Sequence, residues 1–191
     1  MKATLRRRLL GVAAVVLFVA AFVLATPASA THGQPGKQLP AWGAVAGTVT
    51  SVDYAPGFPF VRSTFGGRCS VPSDWVTSHT FTGEVSHGGL STGVGSHCGR
   101  LDYATGAIID ADEVIMMTAA NGDTLNSRGN GYTFPDGTTT GELTIVGGTG
   151  RFAGATGEST SSGRADLTAT PWTYTLSFSG WIAYDASQAS S

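Results

Sequence analysis

The chain has 191 residues, 41% of them hydrophobic and only 13% charged, with a net charge of −2. That balance excludes a disordered polyelectrolyte, and it lacks the clustered Lys and Arg that nucleic acid or an anionic membrane surface would require. Abundant Thr and 27 glycines point instead to strands joined by tight turns.

The first 30 residues read as a secretory signal peptide. Lys2, Arg6, Arg7 and Arg8 form a basic start, an apolar stretch runs from Leu9 to Ala25, Pro27 breaks it, and Ala28-Ser29-Ala30 supplies a small-x-small cleavage site. Cleavage is expected after Ala30, and a retained membrane anchor is the alternative. Loss of the segment leaves seven basic against 13 acidic residues, a net charge of −6. No second apolar run follows, so no membrane association is expected after cleavage. The domain reading is a signal peptide over 1–30, a flexible leader over 31–43, a β domain over 44–185 and a frayed tail over 186–191.

In an oxidising compartment the two cysteines, Cys69 and Cys98, are expected to pair. A bridge closing about 30 residues contributes roughly 3–4 kcal/mol in the chain-entropy model. The rival reading is a metal pair completed by His97 and His79. The sequence favours the disulfide, and neither a metal nor a cofactor is expected.

The predicted elements are all strands. Residues 44–53 alternate small, Val and Thr side chains. Residues 54–75, with Pro56, Pro59 and Pro72, read as a long loop holding at most a short strand near 60–64. A strand follows over 76–85, with His79, Phe81 and Val85 on one face, and a short one over 90–94. Residues 108–119 and 123–134 form the clearest hairpin, closed by Asn121-Gly122. Strands over 139–146, 157–168 and 172–184 complete the set, the last placing Tyr174, Leu176, Phe178, Ile182 and Tyr184 on one face. Consecutive hairpins at this spacing predict an all-β fold. A closed antiparallel barrel of about eight strands is the first choice and a β-sandwich the alternative.

Residues 147–157 read Gly-Gly-Thr-Gly-Arg-Phe-Ala-Gly-Ala-Thr-Gly. A phosphate loop would need Gly-Lys-Ser/Thr, and a dinucleotide fingerprint would need different glycine spacing before a helix. A tight strand connection, with Phe152 tucked under the end of the core, fits better. Together with Ala119-Ala120-Asn121-Gly122-Asp123-Thr124-Leu125, the segment resembles bacterial secreted members of the allene oxide cyclase barrel-like family and the related dirigent proteins. The resemblance spans 44–184 and implies an eight-stranded barrel, compatible with a homo-oligomer. It also implies cyclisation or coupling in an apolar cavity. It transfers no catalytic residue to a numbered position.

A two-residue turn at Asn121-Gly122 would pair Ile115 with Arg128, Glu113 with Asn130 and Ala111 with Tyr132. Glu113 would then lie in an apolar row with Ile109, Ala111, Ile115 and Met117, diagonal to Arg128. Glu113, Arg128 and His79 are accordingly the candidate catalytic residues, and Asn130 and Tyr132 the candidate ligand contacts. A structural ion pair is the simpler reading of Glu113 and Arg128. His79, His87 and His97 are weighed as a three-histidine metal site and set aside. The functional expectation is a secreted barrel that binds a small apolar molecule or plays a structural role outside the cell. The alternative is a cyclase- or dirigent-like catalyst that shapes its substrate in the cavity.

Overall fold

A computed structural model describes residues 37–184. The signal segment, the start of the leader and the tail lie outside the described residues. Eight strands follow one another: β1 (Leu39–Tyr54), β2 (Trp75–Val85), β3 (Gly89–Leu101), β4 (Ile108–Thr118), β5 (Thr124–Thr133), β6 (Thr138–Gly148), β7 (Thr156–Asp166) and β8 (Thr173–Ala183). Each pairs antiparallel with the next, and β1 also pairs with β8, so the sheet closes into a barrel. Closure decides between the two predicted architectures, because a sandwich would leave edges that a barrel removes.

Two elements differ from the sequence expectation. β1 begins at Leu39, inside the expected leader, because Leu39–Thr48 pairs with β8 while the β2 pairing starts only at Gly43. Pro40 is tolerated there because its missing N–H faces the side that β2 does not cover. Residues 60–64 stay in the loop, where a single bridge joins Ser63 and Ser73, as the reading of at most a short strand allows. β3 is far longer than the expected 90–94, continuing through Gly95 and Gly99 to Leu101.

Those glycines answer a space requirement. β2 points Trp75, His79 and Phe81 into the lumen, and directly opposite them β3 carries Gly99, Gly95 and Gly93. A Cβ at any of the three would overlap the facing ring. The same pairing recurs where Gly43 and Gly47 of β1 face Phe178 and Tyr174 of β8. Only His97 breaks the glycine run, and it faces the smaller Thr77.

One end of the barrel is plugged. The predicted tight connection forms a 3-10 turn over Gly150–Phe152, and Phe152 is 1% exposed, packed with Ala119, Ile145, Ala155 and Ile182. At the opposite end the 55–74 loop is held by the Cys69–Cys98 disulfide and by the buried Asp74. That carboxylate accepts hydrogen bonds from Arg62 Nε at 3.0 Å and the Leu101 amide at 2.7 Å. Phe152→Ala is expected to lower unfolding free energy by about 3–5 kcal/mol, as for large aromatic truncations in closed cores. Urea denaturation followed by circular dichroism measures this, and a loss below about 1 kcal/mol would show that the plug is not part of the cooperative core.

Candidate functional site

The lumen is not filled by side chains. A cavity of about 200 Å³ runs from the Phe152 plug toward the rim carrying Trp75, Leu167 and Trp172. Its walls near the plug are apolar, with Phe81, Met117, Leu125, Ile145 and Phe178. Ser127, Ser159 and Ser161 line one side. Facing them is a cluster of ionisable side chains from four strands: His79, His97, Asp110, Glu113 and Tyr174.

The placement of the two carboxylates depends on one backbone irregularity. Alternation along a regular strand would put Asp110 and Glu113, three residues apart, on opposite faces. A β-bulge in β4 prevents this. The pairing jumps from Asp110↔Gly131 to Glu113↔Gly129 on one side, and from Cys98↔Ala111 to Ser96↔Val114 on the other. Asp112 carries the distortion at φ 52°. The extra residue brings Ile108, Asp110, Glu113, Ile115 and Met117 all to the lumen.

Neighbouring groups clamp the bulge from outside. The Asp112 amide donates to Asn130 Oδ1 at 3.2 Å, its carbonyl accepts from Arg68 Nη1 at 3.1 Å, and its carboxylate accepts from the Ser70 amide at 2.6 Å. Arg68 and Ser70 flank Cys69, so the disulfide to Cys98 holds both donors over the bulge.

The expected register of the β4–β5 hairpin is off by one residue. The Ala119 amide donates to Asp123 O and the Gly122 amide to Ala119 O, leaving a three-residue loop, Ala120-Asn121-Gly122, with Gly122 at φ 89°. Thr118 therefore pairs with Thr124, Val114 with Arg128, and Glu113 with Gly129. Arg128, Asn130 and Tyr132 consequently lie on the outer surface, away from Glu113, and Ile109 and Ala111 leave the apolar row. Glu113 and His79 do meet. Glu113 Oε1 lies 3.4 Å from His79 Nε2, while His79 Nδ1 is hydrogen-bonded to Tyr174 Oη at 2.6 Å. His97 joins them across β3, its Nε2 3.2 Å from Asp110 Oδ1. His87 lies at the plugged end, bonded to Pro40 O and near Tyr184, so the three histidines do not assemble.

Sequence reasoning missed Asp110, His97 and Tyr174 as partners. A signal was available for Tyr174, on the inward face of the last strand. None was available for Asp110, because the bulge that turns it inward has no local sequence mark.

The electrostatics are those of a carboxylate-rich pocket in a low dielectric. Burial raises the Asp110 carboxyl above its ordinary value; the His97 charge opposes this and Glu113 adds to it. Burial, with the Glu113 charge second, raises the Tyr174 phenol, which keeps its proton at any ordinary pH. Several buried atoms facing the cavity have no hydrogen-bond partner: Thr77 Oγ1, His79 Nε2 and Asp110 Oδ1. Native interiors rarely leave such atoms unpaired, and each unpaired one calls for a partner such as a water, an ion or a ligand, or for a catalytic role.

No protein-family model matches the chain, and no curated protein does. Solved structures do match. The pterocarpan synthase dirigent protein GePTS1 aligns with a TM-score of 0.52 at 16% identity, covering 81% of this chain and 88% of that one. The pterocarpan synthase dirigent protein PsPTS1 aligns at 0.50 and 17%, covering 80% and 98%. The barrel is dirigent-like. At these identities the likeness is one of fold, reaching the dirigent side of the expected resemblance.

The raised Asp110 carboxyl has a stability consequence. The unfolded chain ionises at the ordinary value of 3.8 and the folded one at a higher pH. The contribution of Asp110 is therefore fully favourable below that value and is lost as pH rises through the folded pKa. His79 and His97 from β2 and β3, Glu113 from β4 and Thr133 from β5 are the groups facing it. Asp110→Asn should gain stability relative to the parent as pH rises from about 4 toward neutrality. Parallel urea titrations across that range measure the difference, and a pH-independent difference would mean that Asp110 ionises as freely as in the unfolded chain.

Proposed function

We propose that the protein is a dirigent-like shaping catalyst acting outside the cytoplasm. It folds a small, largely apolar molecule against the Phe81, Met117 and Phe178 wall and presents its reacting polar groups to His79, Glu113 and Tyr174. One observation supports this above the rest: a cavity with apolar walls in which buried polar atoms on His79, Thr77 and Asp110 have no hydrogen-bond partner. A barrel serving only as structure would fill that space, and a carrier for a hydrocarbon would line it without ionisable groups.

The chemistry such a site can supply is limited and specific. Holding two ends of one molecule in reactive contact is worth several kcal/mol of barrier, up to about 7–11 in the best intramolecular cases. Glu113 and His79 form a couple able to accept or return a proton, and the Tyr174 phenol remains a donor. The two solved neighbours are described as pterocarpan synthases, and ring closure is the reaction class we assign here. The Gly147–Gly157 segment supports a link to the bacterial secreted allene oxide cyclase barrel-like group. The disulfide supports an extracellular setting, as does the basic-then-apolar start of the chain. Outward positions of β7 (Glu158, Thr160, Ser162, Arg164 and Asp166) are exposed and polar, which suits water rather than lipid.

Trp75 and Trp172 line the cavity and report on its contents. Titration with 2-naphthol is expected to quench tryptophan fluorescence saturably, with one molecule bound per chain. Leu143→Trp, which fills the lumen, should abolish the effect while the circular dichroism spectrum is retained. Glu113→Gln should weaken 2-naphthol binding about tenfold, the scale of a hydrogen bond to a charged group, and leave naphthalene unchanged. Equal loss for both probes would remove the polar wall from ligand recognition, and absence of saturable binding would remove the reading itself.

A further inference from the structure

The lumen holds two carboxylates, Asp110 and Glu113, and among the described residues no Lys or Arg lines it. Buried carboxylates are normally matched by a cation or neutralised. The only groups in the wall able to offset them are the imidazoles of His79 and His97. Neither contact is a hydrogen bond: the His79 Nε2–Glu113 Oε1 approach is 3.4 Å, the His97 Nε2–Asp110 Oδ1 approach is 3.2 Å, and both His79 Nε2 and Asp110 Oδ1 remain unpartnered.

That spacing has a different meaning for ligands of one ion. With metal–nitrogen and metal–oxygen bonds near 2.0–2.2 Å, two ligands at a tetrahedral centre stand about 3.3 Å apart. One donor atom each from His79, His97 and Glu113 already lies within 4.8 Å of the other two. His79 is 94% buried, being 6% exposed, and its Nε2 points into this gap. When its Nδ1–H donates to Tyr174 Oη, Nε2 carries a lone pair and faces a carboxylate oxygen. In that tautomer two acceptors face one another, and a cation between them relieves the repulsion. A hydrogen bond from the second ring nitrogen is also how ligating histidines are held in register.

We propose that His79, His97 and Glu113 form a binding site for a divalent transition metal of the zinc class. Two imidazoles and one carboxylate suit a borderline ion, and three protein ligands leave one position open toward the cavity. Asp110 beside His97 adds negative charge that the ion offsets. Gly95 is part of the site, because only a residue without Cβ leaves room for the His79 ring. The site occupies the wall assigned above to substrate shaping but does not rest on that reading, since it stands on donor spacing and on the buried, unpartnered His79 Nε2.

The test uses the full chain, freed of metal with a chelator and titrated with Zn²⁺ by calorimetry and with Co²⁺ by visible absorption. One ion per chain is expected, with the visible bands of four-coordinate cobalt. Glu113→Gln and His79→Ala should each weaken binding by more than about 100-fold, and His32→Ala and His87→Ala should leave it unchanged. The nearly isosteric Glu113→Gln variant keeps the test valid if His79→Ala fails to fold. No stoichiometric binding, or binding that survives Glu113→Gln, would overturn the site. The 2-naphthol titration is read separately with metal-free protein, so failure of one leaves the other standing.

Discussion

The β-bulge at Asp112 is the constraint on which the interior depends. It costs an unfavourable positive φ and one missed step of pairing with β3 and β5. In return it delivers Asp110 and Glu113 to the same side of the sheet, where regular alternation would expel one of them. Hydrogen bonds with Arg68, Ser70 and Asn130 converge on Asp112, and the disulfide fixes the loop that carries the two donors, Arg68 and Ser70. Contacts on the outer face of the wall thus decide what the lumen contains. They also give the 55–74 loop a role beyond connecting β1 to β2.

The second constraint is width. An eight-stranded barrel has an interior just large enough for side chains to fill. Here Trp75, His79, Phe81, Tyr174 and Phe178 each lie over a glycine on the adjacent strand. The glycines let large rings lie flat across the wall instead of meeting in the middle, which keeps a cavity of about 200 Å³ open, far above the ~10–15 Å³ that admits one water. Apolar packing is concentrated at one end, around Phe152, and ionisable groups sit further along. This gradient from closed apolar core to polar wall is what a molecule with one oily end and one reactive end would match.

Much of the fold was legible because its signals are local. Alternation in β8 grouped Tyr174, Leu176, Phe178, Ile182 and Tyr184 on one face, the first four of which line the lumen, and the Gly-rich 147–157 segment gave a tight connection with Phe152 buried. The site was less legible because its determinants are not local. Asn121-Gly122 suits a two-residue turn, yet the loop takes three, and that single residue moves Arg128 away from Glu113. The β4 bulge then shifts the face on which Ile109 and Ala111 were expected. The continuation of β3 through Gly95 and Gly99 was not legible, because their partners, the rings of β2, become visible only once the strands pair. His79 and Glu113 come together even though the reasoning that first selected Glu113 used the wrong register.

The arrangement of β4 can be read directly by thiol labelling, since the two native cysteines are joined and leave no free thiol among the described residues. Single variants Asp110→Cys, Glu113→Cys, Val114→Cys and Arg128→Cys would be exposed under native conditions to a bulky, membrane-impermeant maleimide. Val114→Cys and Arg128→Cys are expected to react at the rate of the unfolded protein, with Asp110→Cys and Glu113→Cys both strongly protected. Rapid labelling of either Asp110→Cys or Glu113→Cys with protection of the other is the pattern of an unbulged strand, and it would contradict the shared inward placement on which the site is built.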